Sequence, residues 1–244
     1  MNLLLDAFAW IVSSERYHGS GSLPVRVAEH LTYSIIGFVF ACAIAIPLGY
    51  LIGHTGKGRQ FAIALSGAVR ALPSFGLILF LVLVIGVLQV RLAVVLALVV
   101  LAVPSVLAGA YAGLEAIERG TIDAARAVGM TEWQILLRVE IPLGLSLLVG
   151  GMRNGMLQIV ATATLASYVG LGGLGYDILQ GIALRRYDQT LGGAIVVVAL
   201  ALALDGVFAI LQRFAERAGA PKDRRRRMPT ASLPVRAVAG PGGA

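Results

Sequence analysis

The sequence has few charged residues, few histidines and a single cysteine. Only 14% of its 244 residues are charged, whereas about a quarter are charged in typical soluble domains. Because Cys42 is the single cysteine, an intramolecular disulfide is excluded. The histidines His18, His30 and His54 all lie outside the long apolar runs, and there is no HExxH motif. An intramembrane metalloenzyme is therefore disfavoured, and we predict no catalytic residue, no metal ligand and no cofactor.

Nucleotide-binding motifs are also missing. Gly56-Lys57 lies in a short basic loop, but the four-residue gap and the following Ser or Thr of a P-loop are absent. Gly170, Gly172 and Gly175 have G-x-G-x-x-G spacing, yet they follow an apolar run and not the strand of a βαβ unit. Any ATP hydrolysis linked to this chain is therefore expected on another subunit.

Long apolar runs dominate the chain instead, with 58% hydrophobic residues. A helix needs about 20 apolar residues to cross a bilayer, and five windows meet this requirement: 31–53, 71–90, 92–113, 145–169 and 190–212. The sequence thus predicts an all-α polytopic membrane bundle of five or six transmembrane helices.

The two ends of the chain are expected to lie outside this bundle, which we place at residues 31–217. Residues 1–30 should form an extracytoplasmic or interfacial helix with a Gly/Ser linker, and residues 218–244 a basic, disordered cytoplasmic tail. Placing the loop 114–142 inside also places Arg224–Arg227 inside, as the positive-inside rule requires. We therefore predict a multi-pass cell (inner) membrane protein with its N-terminus outside.

The most informative polar segment is residues 123–142, which the pattern predicts to be two short helices with a hinge. We expect Thr121 to cap the first helix and Gly129 to end it in a left-handed conformation. Thr131 has the spacing of a capping box that opens the second helix. Pro142 is expected to stop that helix because it lacks an amide hydrogen.

Two short helices with a glycine between them also suit a DNA-binding helix-turn-helix. The local charge is wrong for DNA, because acids outnumber bases from residue 115 to 142 and would repel a phosphate backbone. The acids are Glu115, Glu118, Asp123, Glu132 and Glu140, and the bases are Arg119, Arg126 and Arg138. Nucleic acid is therefore not an expected partner.

The same segment resembles the cytoplasmic loop of permeases from bacterial ATP-binding-cassette (ABC) importers, which reads Glu-Ala-Ala, Gly, Ile and Leu-Pro at fixed spacing. The matching residues are Asp123-Ala124-Ala125, Gly129, Val139 and Ile141-Pro142. The resemblance implies the type I importer permease fold and docking of the first loop helix in a groove of the ATPase. The residues expected to couple to the ATPase are Asp123, Ala124, Ala125, Gly129, Met130 and Trp133.

A narrower similarity covers Ala161–Ala166 with the glycine-rich stretch after it, Ala71–Ser74, and Asp205. These segments are similar to permeases for osmoprotectants such as glycine betaine, choline, carnitine and proline. The implied partners are ATPase subunits, a second permease chain and an extracytoplasmic binding protein. Methionine or another amino acid is the alternative substrate. A secondary transporter is less favoured, because only one acid lies within a span and no repeat is present.

Asn154, Gln158 and Thr162 recur every four residues and therefore share one helix face. Polar groups at membrane depth face protein or a wet cavity, so they either line the translocation pathway or form interhelical hydrogen bonds. Gly151 and Gly155 allow close helix packing, including at a dimer seam.

Two further predictions concern the glycines after span four and an acid within span five. The glycines after span four are predicted to break the helix at an outer gate: Gly170, Gly172, Gly173 and Gly175. In span five, Asp205 needs a partner within the membrane, for which we predict Arg153 in an ion pair.

Overall fold

The computed structural model describes residues 2–219, in which the chain forms ten α-helices. Short 3₁₀ turns and one π-helical turn, Leu136–Glu140, connect some of them. The helices are α1 (Leu3–Val12), α2 (Leu23–Thr55), α3 (Arg59–Ala71), α4 (Ser74–Ile85), α5 (Val90–Glu115), α6 (Arg119–Ala127), α7 (Glu132–Ile135), α8 (Ile141–Ala163), α9 (Gly175–Ala183) and α10 (Tyr187–Gly219). The predicted basic tail lies outside the described residues from position 220 onwards.

Four segments are long and apolar enough to cross a membrane: Leu23–Thr55, Val87–Glu115, Glu132–Val169 and Tyr187–Arg217. The predicted second span, 71–90, is not a single straight helix. α3 and α4 meet at 90°, and α4 has only 12 residues, or about 18 Å of helix. The bend follows from Pro73, whose ring excludes the helical conformation for Leu72, which is extended at φ −70° and ψ 132°.

Helix α5 lies at the centre of the bundle. In the most apolar window of its segment 61% of residues are buried, compared with 6% in the corresponding window of α10. α5 packs against α2, α4 and α8, with fully buried Val94 and Leu98 in the core. Most of the surface of α10 is therefore not covered by the rest of this chain.

Glycines bring α5 and α8 into backbone contact. A Cβ on Gly109 would lie 2.7 Å from the Cα of Gly151, and a Cβ on Gly144 would lie 2.8 Å from the carbonyl oxygen of Gly113. Neither position has room for a side chain. The structure confirms the close packing predicted at Gly151 and assigns it to a contact within the chain.

The N-terminal segment is folded onto the bundle. The short helix predicted within residues 1–30 is confirmed as α1, which packs on α10. Trp10 is 6% exposed, and its ring fills the space where Gly192 lacks a side chain. α2 begins at Leu23, earlier than the predicted span. The reason is that Arg26 and Glu29, which interrupt the apolar run, have partners elsewhere in the chain.

Candidate coupling loop and translocation pathway

The loop after α5 contains two short helices, α6 and α7, joined at a glycine hinge as predicted. Gly129 has φ +85°, a left-handed conformation that residues with a side chain rarely adopt. Its N–H donates to the carbonyl of Arg126 at 2.9 Å, and the N–H of Met130 donates to that of Ala125 at 3.2 Å. These bonds close the end of α6 and fix the angle at which the chain continues.

The capping box of α7 is confirmed. The N–H of Gln134 donates to Oγ1 of Thr131 at 3.4 Å, and the N–H of Thr131 donates to Oε1 of Gln134 at 3.0 Å. The cap predicted at Thr121 is wrong, because α6 begins at Arg119 with extended Glu118 at its N-cap and no side-chain cap bond. The N–H of Thr121 already donates to the Glu118 carbonyl within the first turn.

Pro142 does not stop the second helix, contrary to prediction. The chain passes from α7 through the π-helical turn Leu136–Glu140 directly into α8. Pro142 occupies the first turn of α8, where a missing N–H costs least. The π-helical turn just before Pro142 is wider than an α-helical turn, so the helix continues past it without a break.

One face of the two loop helices is buried against the rest of the chain, and the opposite face is exposed. Ala125 and Ile135 are buried, at 8% and 0% exposure, whereas Val128, Trp133 and Leu137 are 79%, 74% and 58% exposed. This loop contains too many polar residues to lie within the lipid bilayer. Exposed apolar side chains on a polar segment are typical of a protein contact surface.

The predicted coupling residues divide into an exposed group and a buried or half-buried group. Asp123, Ala124, Gly129 and Trp133 are exposed. Ala125 is buried and Met130 is half-buried, so these two contribute to holding the loop on the bundle.

A network of polar side chains, which sequence reasoning missed, ties the loop to α2. Nε of Arg126 donates to Glu132 across the hinge at 2.9 Å, and this hydrogen bond lowers the pKa of Glu132. In the last turn of α2, Nδ1 of His54 lies 2.6 Å from buried Glu140, and Nε2 lies 3.6 Å from Glu132. The π-helical turn, α7 and α2 are therefore linked through one imidazole.

The polar stripe on α8 runs from an exposed end to a buried one. Asn154 is exposed and Thr162 is 8% exposed. Gln158 is half-buried, and its Oε1 accepts a hydrogen bond from Ser105 of α5 at 3.4 Å. The interhelical alternative thus applies to Gln158, while Asn154 faces open space beside the single chain.

The ion pair predicted for Asp205 is confirmed. Nε and one terminal nitrogen of Arg153 donate to the two carboxylate oxygens of Asp205, each at 2.5 Å. The bidentate geometry joins the middle of α8 to α10.

The glycine-rich segment after α8 breaks the helix as predicted. Gly170, Gly172 and Gly173 have φ values of +81°, +84° and +75°. α2 holds this segment in place, since Glu29 accepts a hydrogen bond from the N–H of Gly173 at 2.8 Å and the Tyr33 hydroxyl donates to the Leu171 carbonyl at 3.1 Å. The sequence signal for this contact was the acid Glu29, which interrupts the apolar pattern near the start of α2.

Comparison with known proteins identifies the family. Residues 27–218 match the family model described as the inner membrane component of binding-protein-dependent transport systems. The chain belongs to this family. Its members are membrane permease components, and this chain shares their multi-pass inner membrane character.

Relatives of known role agree with this family. The chain is 35% identical over 184 residues to the carnitine transport permease protein OpuCB of Listeria monocytogenes, covering 75% of this chain and 84% of the relative. It is 33% identical over 193 residues to the glycine betaine/carnitine/choline permease OpuCB of Bacillus subtilis (strain 168), covering 79% and 88%. It is 31% identical to the choline permease OpuBB of the same organism, over 82% and 91%.

The fold matches solved importers. The chain superimposes on the inward-facing MetNI methionine ABC transporter with a TM-score of 0.68 and 23% identity, covering 78% of this chain and 94% of that one. The type I ABC importer permease fold predicted from the sequence is therefore confirmed for this chain.

Proposed function

We propose that this chain is the permease subunit of an ABC importer that carries a small osmoprotectant across the inner membrane. The observation that carries this function is the similarity, at 30–35% identity over most of the chain, to permeases named for carnitine, glycine betaine and choline. The solved methionine transporter is less similar, at 23% identity. Methionine is therefore the second substrate class for the same assay.

The coupling loop is the proposed docking site for the ATPase. Its face formed by Val128, Trp133 and Leu137 is apolar and exposed, and Asp123 and Ala124 are exposed beside it. The small side chain of Ala124 permits close approach of a partner. Movement of this loop reaches α2 through His54 and α8 through the continuous α7–α8 segment, so nucleotide-driven motion of the ATPase would reorient the spans.

The rest of the transporter follows the same proposal. The N-terminus and the segment 170–189 face outside, where a binding protein delivers substrate, and the loop 114–142 faces the cytosol. A second permease chain, identical or related, completes the pathway beside exposed Asn154. Gln158 and Thr162 continue the polar stripe, and Gly170, Gly172, Gly173 and Gly175 form the outer gate.

Uptake measurements test the substrate class. The chain is expressed together with an ABC ATPase and an extracytoplasmic binding protein from the same organism, in a host lacking its own osmoprotectant uptake. Labelled glycine betaine, carnitine, choline, proline and methionine are supplied separately. ATP-dependent accumulation of one of the first four supports the proposal, accumulation of methionine alone supports the second substrate class, and uptake that persists without the ATPase contradicts both.

Copurification tests the docking site. Ala124→Leu adds bulk to the exposed face of α6 and is expected to reduce the amount of ATPase that copurifies with the permease. Ala64→Leu is the matched control, because Ala64 is exposed on α3 away from the loop. Equal copurification from both variants would place the ATPase contact elsewhere.

Alanine substitutions test the pathway. Asn154→Ala is expected to change uptake more than Thr162→Ala, because Asn154 is exposed and Thr162 is buried. Uptake that is unaffected by substitution of Asn154, Gln158 and Thr162 in turn would remove the stripe from the pathway.

A further inference from the structure

A buried carboxylate lies at the end of the bundle opposite the coupling loop. Asp177 in α9 is 1% exposed. Its Oδ1 accepts a hydrogen bond from Arg16 at 2.6 Å, and its Oδ2 lies 3.6 Å from Nε of Arg26. Arg16 belongs to the 3₁₀ turn Ser14–Tyr17 after α1, and Arg26 to α2. A single side chain thus connects three segments that are distant in sequence.

Both arginines are also held by aromatic rings. The guanidinium of Arg16 lies 4.3 Å from the ring centroid of Trp10, and that of Arg26 lies 3.8 Å from the centroid of Tyr176. Cation–π contacts of this kind orient a guanidinium as well as attract it. Because Trp10 is itself seated on Gly192 of α10, the cluster is connected to the last span as well.

The carboxylate is only partly satisfied. Oδ2 of Asp177 and Nε of Arg16 have no hydrogen-bond partner among the described residues. Burial raises the pKa of Asp177, whereas the positive charges of Arg16 and Arg26 oppose that rise. A buried charge with one strong hydrogen bond and one looser ionic contact depends on its partners staying in place.

The cluster also adjoins the glycine-rich segment. α9 begins at Gly175, directly after the left-handed glycines Gly172 and Gly173. Glu29, one turn after Arg26 on α2, holds Gly173. α9 is therefore preceded by glycines in left-handed conformations and is held by ionic contacts to α2 and to the N-terminal segment.

We propose that Asp177 is a positioning residue that latches α9 to an N-terminal strap, residues 3–22, and thereby holds the outer gate closed. This inference rests on the proposed transport function. Without the latch, α9 turns about the glycines, and the gate equilibrium moves toward the open state. By thermodynamic linkage, the same shift favours the ATPase arrangement that accompanies an open outer gate.

ATP hydrolysis by the complete transporter, measured without the binding protein, tests the latch. Asp177→Asn keeps the shape but removes the charge, and it is expected to raise this hydrolysis by about tenfold, which corresponds to about 1.4 kcal/mol in the gate equilibrium. Asp177→Glu keeps the charge and is expected to stay near wild type. Glu15→Gln is the matched control, because Glu15 is an exposed acid beside Arg16. A merely structural defect would lower hydrolysis and would not raise it.

A second variant guards against poor folding. If Asp177→Asn does not assemble, Arg16→Gln, which leaves Arg26 in place, should raise hydrolysis in the same direction by a smaller factor. Unchanged or reduced hydrolysis in an assembled variant overturns the latch. If the wild-type complex shows no ATP-dependent uptake at all, the proposed function fails instead, so the two failures are distinguishable.

Discussion

Arg153 and Asp205 form a bidentate ion pair between α8 and α10, with both nitrogen–oxygen distances at 2.5 Å. α10 contributes few buried residues to the bundle, so this pair is a principal polar link that holds it against α8. Removing one partner leaves a charge without its counterion within a membrane span.

The first prediction concerns this pair. Arg153→Ala and Asp205→Ala are each expected to lower the melting temperature of the purified protein. The double substitution should lower it by less than the sum of the two, because it leaves no unpaired charge. Thermal unfolding in detergent measures the effect. Additive losses would show that the two side chains do not stabilise one another.

The second prediction concerns the glycine contact between α5 and α8. Gly151→Ala places a Cβ 2.7 Å from Gly109, which should destabilise the protein by about 1–3 kcal/mol. The matched control is Gly206→Ala in α10, where a Cβ would meet nothing within 4 Å. That substitution should be neutral or stabilising by about 0.5–1 kcal/mol. Unfolding of both variants in one detergent gives the comparison, and equal stability would contradict the observed packing.

The third prediction compares two threonines. Thr131→Ala removes the cap of α7 and should cost about 1 kcal/mol locally. Amide hydrogen exchange in α7 should then accelerate by about fivefold. Thr121→Ala removes a hydroxyl that makes no cap bond and should leave exchange in α6 nearly unchanged. Faster exchange after Thr121→Ala alone would reverse the assignment of the caps.

The fourth prediction follows from the pKa of Glu132, which the hydrogen bond from Arg126 lowers. The contact stabilises the loop above the ordinary glutamate pKa of about 4.3 and is lost as pH falls through the lowered value. Fluorescence of neighbouring Trp133, read in a Trp10→Phe background, should therefore change below that pH. Glu132→Gln should abolish the change. A transition at higher pH would show that the contact does not form.

Local signals in the sequence predicted part of this structure. Gly129 and the glycines after α8 act through their own backbone conformation, and Thr131 acts through its hydroxyl on the N–H of Gln134. Both signals are readable from residue type and spacing. The pair of Arg153 and Asp205 was also predictable, because few charged residues lie within the spans.

Other features depend on tertiary contacts. Arg16 and Asp177 are 161 residues apart, and no local pattern joins them. Thr121 is the preferred type of N-cap residue, yet α6 begins at Arg119, two residues earlier, with Glu118 at its N-cap. The 90° bend follows from Pro73, and hydropathy, which continues across the two helices, does not indicate it.

The π-helical turn before α8 sets the direction in which the loop helix points. A turn of this kind holds about one residue more than an α-helical turn, and each residue corresponds to about 100° of rotation. Shortening Leu136–Glu140 by a single position would swing Trp133 about a quarter-turn around the axis of α8. The length of this segment, as much as its side chains, therefore determines which way Trp133 faces.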